Sequence, residues 1–209
     1  MSQIAEYVKT IIPGDAILPS ENIIQPTKAF ISHSASGRRA QFIFRDMVPY
    51  LEGKSVLDVG SRLGVMLYAA HAFTPANPII GIEINPDFCQ LQENVIKHFQ
   101  MDDRIKIMNT DVRNAADVVS TVDVVILNNV FEFFMPEHEQ VQLWQFLRKH
   151  IKQGAILVTV PSLEDSLKEL ETGIGISQWV KQRHVTDPLS YSFMEDHDEL
   201  SEVCTYEVL

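Results

Sequence analysis

The chain has 209 residues and only two cysteines, Cys89 and Cys204, with no CxxC pair and no Cys/His spacing. That scarcity argues for a reducing compartment and against structural zinc, so no metal is expected. The expected location is the cytoplasm, with the nucleus left open. No apolar run reaches about 18 residues, the length a membrane-spanning helix needs, and no membrane partner is expected. The opening stretch MSQIAEYVKTIIPGD lacks a basic n-region, which argues against a secretory signal. Basic residues are scarce at one end: 161–209 carry three Lys/Arg against eleven Asp/Glu, the largest part of the net charge of −11. Phosphate contacts need Lys and Arg, so no nucleic-acid partner is expected of so acidic a chain. The acidic end either attracts a basic protein or simply faces water, as charge runs commonly do.

What is present is an alternation. Ser55–Val59, Ile79–Glu83, Ile105–Asn109, Val122–Asn128 and Ala155–Val160 read as short, largely buried strands. Between them, Val65–Phe73, Pro86–Phe99, a short segment near Ala115–Ser120, and Glu137–Ile151 read as helices. Strand–helix repetition in one chain implies βαβ units and a parallel sheet covered on both faces. Right-handed crossovers then make a doubly wound, mostly parallel, Rossmann-like α/β sheet the expected architecture. Residues 53–209 would form this domain, and 1–52 an amino-terminal helical extension. In the extension, Ile4–Ile12 and Ser36–Leu51 have helical spacing, and the first of them, with the irregular stretch after it, would fold over the site as a lid. Beyond Pro161, Ser162–Glu171 and Glu195–Val203 read as helices and Cys204–Val208 as a strand.

The segment Ser55–Gly64, SVLDVGSRLG, concentrates the functional signal. It reads as a buried strand, then a tight turn, then a helix start, the place in an α/β sheet where nucleotide-like ligands lie. Glycines at 60 and 64 let the backbone approach a ligand closely, and a helix N-terminus offers N–H groups to negative charge. The turn alone is shared with dinucleotide-binding dehydrogenases, but Gly60-x-x-x-Gly64 is not GxGxxG, which argues against nicotinamide.

The other strand ends carry polar residues that would converge on the same crevice. Glu83 lies 25 residues after Asp58, close to the usual spacing for an acid that takes both ribose hydroxyls. Asp111 is placed to accept from an adenine amino group, the backbone of Val112 to serve a ring nitrogen, and Ile84 to pack on the adenine face. Asp58 would hold the turn or meet a ligand ammonium. The fourth strand ends in Asn128-Asn129. Phe131, Phe133 and Phe134 follow, either lining an acceptor pocket or belonging to the core, with Glu132 as an acceptor-side acid or a helix cap. His33 is a lid residue and base, or an exposed loop histidine. Trp144 has the spacing of a packing residue.

The joint order of these segments resembles the class I S-adenosylmethionine-dependent methyltransferases. VLDVGSRLG stands at that superfamily's glycine motif, IIGIEIN at its ribose acid, NTDVRN at its adenine acid, and DVVILNNVFEFF and GAILVTVPS at its fourth and fifth strands. The resemblance covers about residues 36–170. It implies S-adenosylmethionine as cofactor, held by Asp58, Gly60, Ser61, Arg62, Gly64, Glu83, Ile84, Asp111, Val112 and Asn128. The acceptor implied is a protein side chain or a small molecule, and Asn129, Glu132, Phe133 and His33 are the candidates on its side. Asn128-Asn129 followed by Phe131 resembles the strand-four turn of non-SET lysine methyltransferases. Three departures stand out. Arg62 occupies the motif's middle glycine, where it points outward, pairs with the cofactor carboxylate, or blocks the site and leaves a binding or scaffold module. No Asn/Asp-Pro-Pro-Tyr run follows strand four. Only one of the superfamily's last two strands is visible before residue 209, as if that edge were cut short or remodelled.

Overall fold

The computed structural model describes residues 36–128, 135–183 and 200–209, and Gln3 besides. The lid segment Ile4–Ile12 and the candidates His33, Asn129, Glu132 and Phe133 lie outside the described residues, as do Phe131 and Phe134.

The strands are β1 (Val56–Val59), β2 (Ile79–Glu83), β3 (Ile105–Asn109), β4 (Val124–Asn128), β5 (Ile156–Val160), β6 (Val180–Arg183) and β7 (Cys204–Val208). They form one seven-stranded sheet in the order β3-β2-β1-β4-β5-β7-β6. All pairs from β3 to β5 are parallel, while β7 runs antiparallel to both β5 and β6. The helices are α1 (Gly37–Phe42), continued by a π-helical turn at Ile43–Met47, α2 (Val65–Phe73), α3 (Pro86–His98), α4 (Ala116–Val119), α5 (Glu137–His150), α6 (Leu163–Leu167) and α7 (Ile176–Trp179).

The inner parallel strands are buried on both faces, as their largely apolar runs require, while the edge strand β3 exposes Lys106 and Asn109. β1, β4 and β5 are apolar almost throughout, and the sheet separates two cores. One core packs α1, α2 and α3 against Val56, Ile79, Val124 and Ile126. The other packs α5 and the carboxy-terminal hairpin against Leu57, Ile82, Val125 and Leu157. Trp144 is buried in this second core, edge-on to Trp179 at a centroid separation of 6.4 Å.

Three expectations need correction. The helix read at Ser36–Leu51 stops at Met47: Ser36 caps its start through the Arg39 N–H, while Pro49 forces Val48 into extended backbone. The helix read at Ser162–Glu171 covers only Leu163–Leu167, capped by Ser162. The edge of the sheet is neither cut short nor missing a strand. β6 lies at Val180–Arg183 and pairs with β7 along its length. Its four residues, V-K-Q-R, sit at the edge and show water a polar side, so they lack the apolar run that marks the inner strands. Of the helix read at Glu195–Val203, residues 195–199 lie outside the described residues.

Candidate functional site

β1 is flanked by β2 on one side and β4 on the other, and the chain reverses its winding there. In such sheets the crevice lies outside the carboxyl ends of the strands at that switch point. Asp58, Glu83, Asn109 and Asn128 all sit at those ends.

The loop after β1 is built by hydrogen bonds to β2. The N–H groups of Gly60 and Ser61 both donate to the Ile82 carbonyl, at 2.8 and 3.1 Å, and Gly64 N–H closes the turn on Ser61 O at 2.7 Å. Gly60, Arg62 and Gly64 all have positive φ, at 71°, 48° and 78°. Arg62 therefore adopts the left-handed backbone that the resemblance assigns to a glycine, and the turn survives the substitution. Left-handed backbone costs an ordinary residue about 1–2 kcal/mol, so the fold holds it against a local preference.

Glu83 is the centre of the site. Its Oε2 accepts the Arg62 N–H at 2.9 Å and its Oε1 accepts the Asn85 N–H at 2.8 Å. One carboxylate thus joins the loops after β1 and β2. A carboxylate has about four lone-pair sites, so each oxygen keeps one for a further donor. The backbone of Glu83 is also clamped, since its carbonyl accepts from Thr110 N–H and from Asn109 Nδ2 at 3.1 and 3.0 Å. Asn109 Nδ2 reaches the Ile84 carbonyl as well. The Ile84 side chain stands 68% exposed beside this clamp, an apolar surface open to a planar partner.

Asp58 is buried on the same side of the sheet. Burial, and then the charge of Glu83, push its carboxyl up to about 8. An unfolded aspartate titrates near 3.9. The native state therefore keeps a proton that the unfolded chain has lost, and stability from this group falls as pH rises from about 4 to about 8. Each pH unit in that window removes at most about 1.4 kcal/mol. An asparagine at this position would carry no such penalty. The melting temperature of ligand-free Asp58→Asn minus that of the wild type should therefore grow from pH 5 to pH 8. Thermal unfolding across that range measures it, and a constant difference would contradict the assignment.

Asp111 is more committed than the sequence suggests. It caps the turn at Val112–Asn114 and binds the Arg113 guanidinium through both oxygens, with Nη2 to Oδ2 at 2.6 Å. The Arg113 fork holds this carboxyl below the usual range. Its lone pairs are nearly filled, so an adenine amino group would share them with Arg113. Val112 is buried beneath this turn. Asn128 carries a buried Oδ1 with no hydrogen-bond partner among the described residues, an acceptor left open at the end of β4.

Sequence reasoning missed Asn109, Gln92 and Tyr68. Gln92 is fully buried in α3 and accepts the Ser61 hydroxyl at 2.8 Å, tying the glycine loop to the helix. A signal existed: Gln92 stands on the same helical face as Cys89, Val95 and Ile96, and a glutamine on a buried stripe needs a partner. Gly81 on β2 makes room for the pair, because a Cβ there would meet Ser61 Oγ at 2.9 Å and Leu67 Cδ1 at 2.7 Å.

No protein-family profile matches the chain, and no curated protein matches it in sequence. Solved structures do. An RNA methyltransferase from Salinibacter ruber, in complex with S-adenosyl-L-homocysteine, superposes with a TM-score of 0.53 at 16% identity, over 83% of this chain and 90% of that one. A candidate rRNA methylase from Clostridium thermocellum gives 0.55 at 13% identity, over 83% and 94%. The Escherichia coli protein yhhF, described as a candidate methyltransferase, gives 0.56 at 12%, over 84% and 87%. The chain has the fold of the class I S-adenosylmethionine-dependent methyltransferases. At these identities the likeness concerns the fold.

Among the described residues, no helix is long and apolar enough to cross a membrane.

Proposed function

We propose that this chain is an S-adenosylmethionine-dependent methyltransferase. The observation that carries the reading is the Glu83 carboxylate. It is buried, fixed by two backbone N–H groups, and left with one acceptor position on each oxygen. A vicinal diol has two O–H donors at matching separation, which is what a ribose offers. The exposed Ile84 beside it suits one face of an adenine, and the left-handed loop at Gly60–Gly64 suits close approach by the rest of the ligand.

When bound, the cofactor supplies a methyl group on a sulfonium with a neutral leaving group. The protein's part is alignment and exclusion of water. Glu83 orients the sugar, and the turn over Val112–Asn114 bounds the base. Asp58 and the open Asn128 Oδ1 offer acceptors to an ammonium group. An acceptor that arrives protonated needs a base, for which Glu132 and His33 remain our candidates, with Asn129 and Phe133 as candidates for the acceptor side of the site.

For the acceptor, the charge of −11 supports a protein side chain or small molecule over a polyanion. Two of the structural neighbours are described as acting on RNA, so the assay offers radiolabelled methyl donor to protein, small-molecule and RNA pools side by side. Label in the RNA pool alone would overturn this preference.

A second reading rests on Arg62, a charged, half-buried side chain at the turn. If it meets the cofactor carboxylate, Arg62→Ala weakens binding by about 1.5–3 kcal/mol, the range for hydrogen bonds to charged groups. That is the expected result in calorimetry. A wild type without affinity, rescued by Arg62→Gly, would instead make the chain a binding or scaffold module.

A further inference from the structure

Tyr68 lies in the first half of α2, four residues after Gly64, and is 1% exposed. Helical side chains lean toward the N-terminus, so its ring reaches back over the preceding turn. The contact is close: a Cβ on Gly64 would fall 2.6 Å from both the Tyr68 hydroxyl oxygen and Cζ. Only glycine at 64 admits the ring. The hydroxyl is buried with no hydrogen-bond partner among the described residues, and leaving a buried hydroxyl unsatisfied is destabilising. A phenylalanine would fill the same space without that cost.

The surroundings say what the hydroxyl would meet. Gly64 is the N-cap of the nine-residue α2 and supplies no side-chain cap to its first turn. That end of a helix favours negative charge. The Arg62 guanidinium belongs to the same loop. Burial pushes the phenol's pKa up, so it remains a donor. The phenol is thus a donor at the helix end of the loop, while the acceptors Asp58, Glu83 and Asn128 lie at the strand ends.

We propose that the Tyr68 hydroxyl is a specificity contact, donating a hydrogen bond to a carboxylate oxygen of the ligand seated on the Gly60–Gly64 loop. The inference rests on the cofactor reading above and extends it to a residue outside the glycine motif. It separates ligands with an amino-acid end from nucleosides that lack one.

The test compares wild type and Tyr68→Phe in two measurements. Calorimetry uses S-adenosylhomocysteine, which has the carboxylate, and 5′-methylthioadenosine, which does not. The variant should bind the first about tenfold or more weakly and the second unchanged. Thermal unfolding without ligand should show the variant at least as stable as the wild type, because the unpaired hydroxyl is gone. Equal affinity of both proteins for S-adenosylhomocysteine would overturn the proposal, and so would an equal loss for both ligands. If the wild type binds neither ligand, the cofactor reading itself fails and this contact falls with it.

Discussion

Replacing Glu83 by alanine is expected to weaken S-adenosylhomocysteine binding by about 1.5–3 kcal/mol for the lost contacts to the sugar. The loss should exceed that of any single surface substitution, because the same carboxylate holds both loops. Without it the Arg62 and Asn85 N–H groups lose their acceptors. Glu83→Gln should fare little better. An amide has one acceptor oxygen, and its NH2 would face one of two N–H donors that both require an acceptor. Removing the charge also takes away one of the two causes that raise Asp58, so its carboxyl should titrate lower in Glu83→Ala than in the wild type. Calorimetry with S-adenosylhomocysteine, and NMR titration of Asp58, measure the two effects. Undiminished affinity in Glu83→Ala would refute the sugar contact.

Gly64→Ala should produce the largest loss of stability. The residue has φ 78°, so an alanine there pays about 1–2 kcal/mol for left-handed backbone. Its Cβ would also stand 2.6 Å from Tyr68, whose ring is buried, so relief requires its neighbours in the core to shift. Overpacking of that kind costs about 1–3 kcal/mol more. The two terms together predict a destabilisation of about 2–5 kcal/mol in chemical denaturation. Gly53→Ala provides a control: its φ is 66°, but nothing lies within 4 Å of its added Cβ, so only the backbone cost applies. Equal destabilisation at both positions would show that the Tyr68 contact carries no energy.

The inner parallel strands were legible because burial on both faces writes largely apolar runs, as in β4, where Val124, Val125, Ile126 and Leu127 follow one another. Each strand found is within two residues of its expected bounds. β6 was not legible, because an edge strand of four residues with two exposed polar side chains has no such run. The end of α1 was half legible: Pro49 was visible, but the π-helical turn at Ile43–Met47 follows no side-chain period that a sequence displays. In the site, Glu83 stood out by its distance from Asp58. What it holds did not, since its partners are backbone N–H groups of Arg62 and Asn85, which every residue type but proline supplies. Asp111 looked free for a ligand only because Arg113, two residues on, can fold back onto it or extend to solvent, and sequence does not choose between these.

We propose the carboxyl ends of β1, β2 and β4 as the seat of S-adenosylmethionine. Titration of the full chain with S-adenosylhomocysteine in a calorimeter tests it most directly. Saturable binding at one site per chain, lost or strongly weakened in Glu83→Ala, is the expected result. An absence of binding heat and of any thermal shift in the wild type would contradict it.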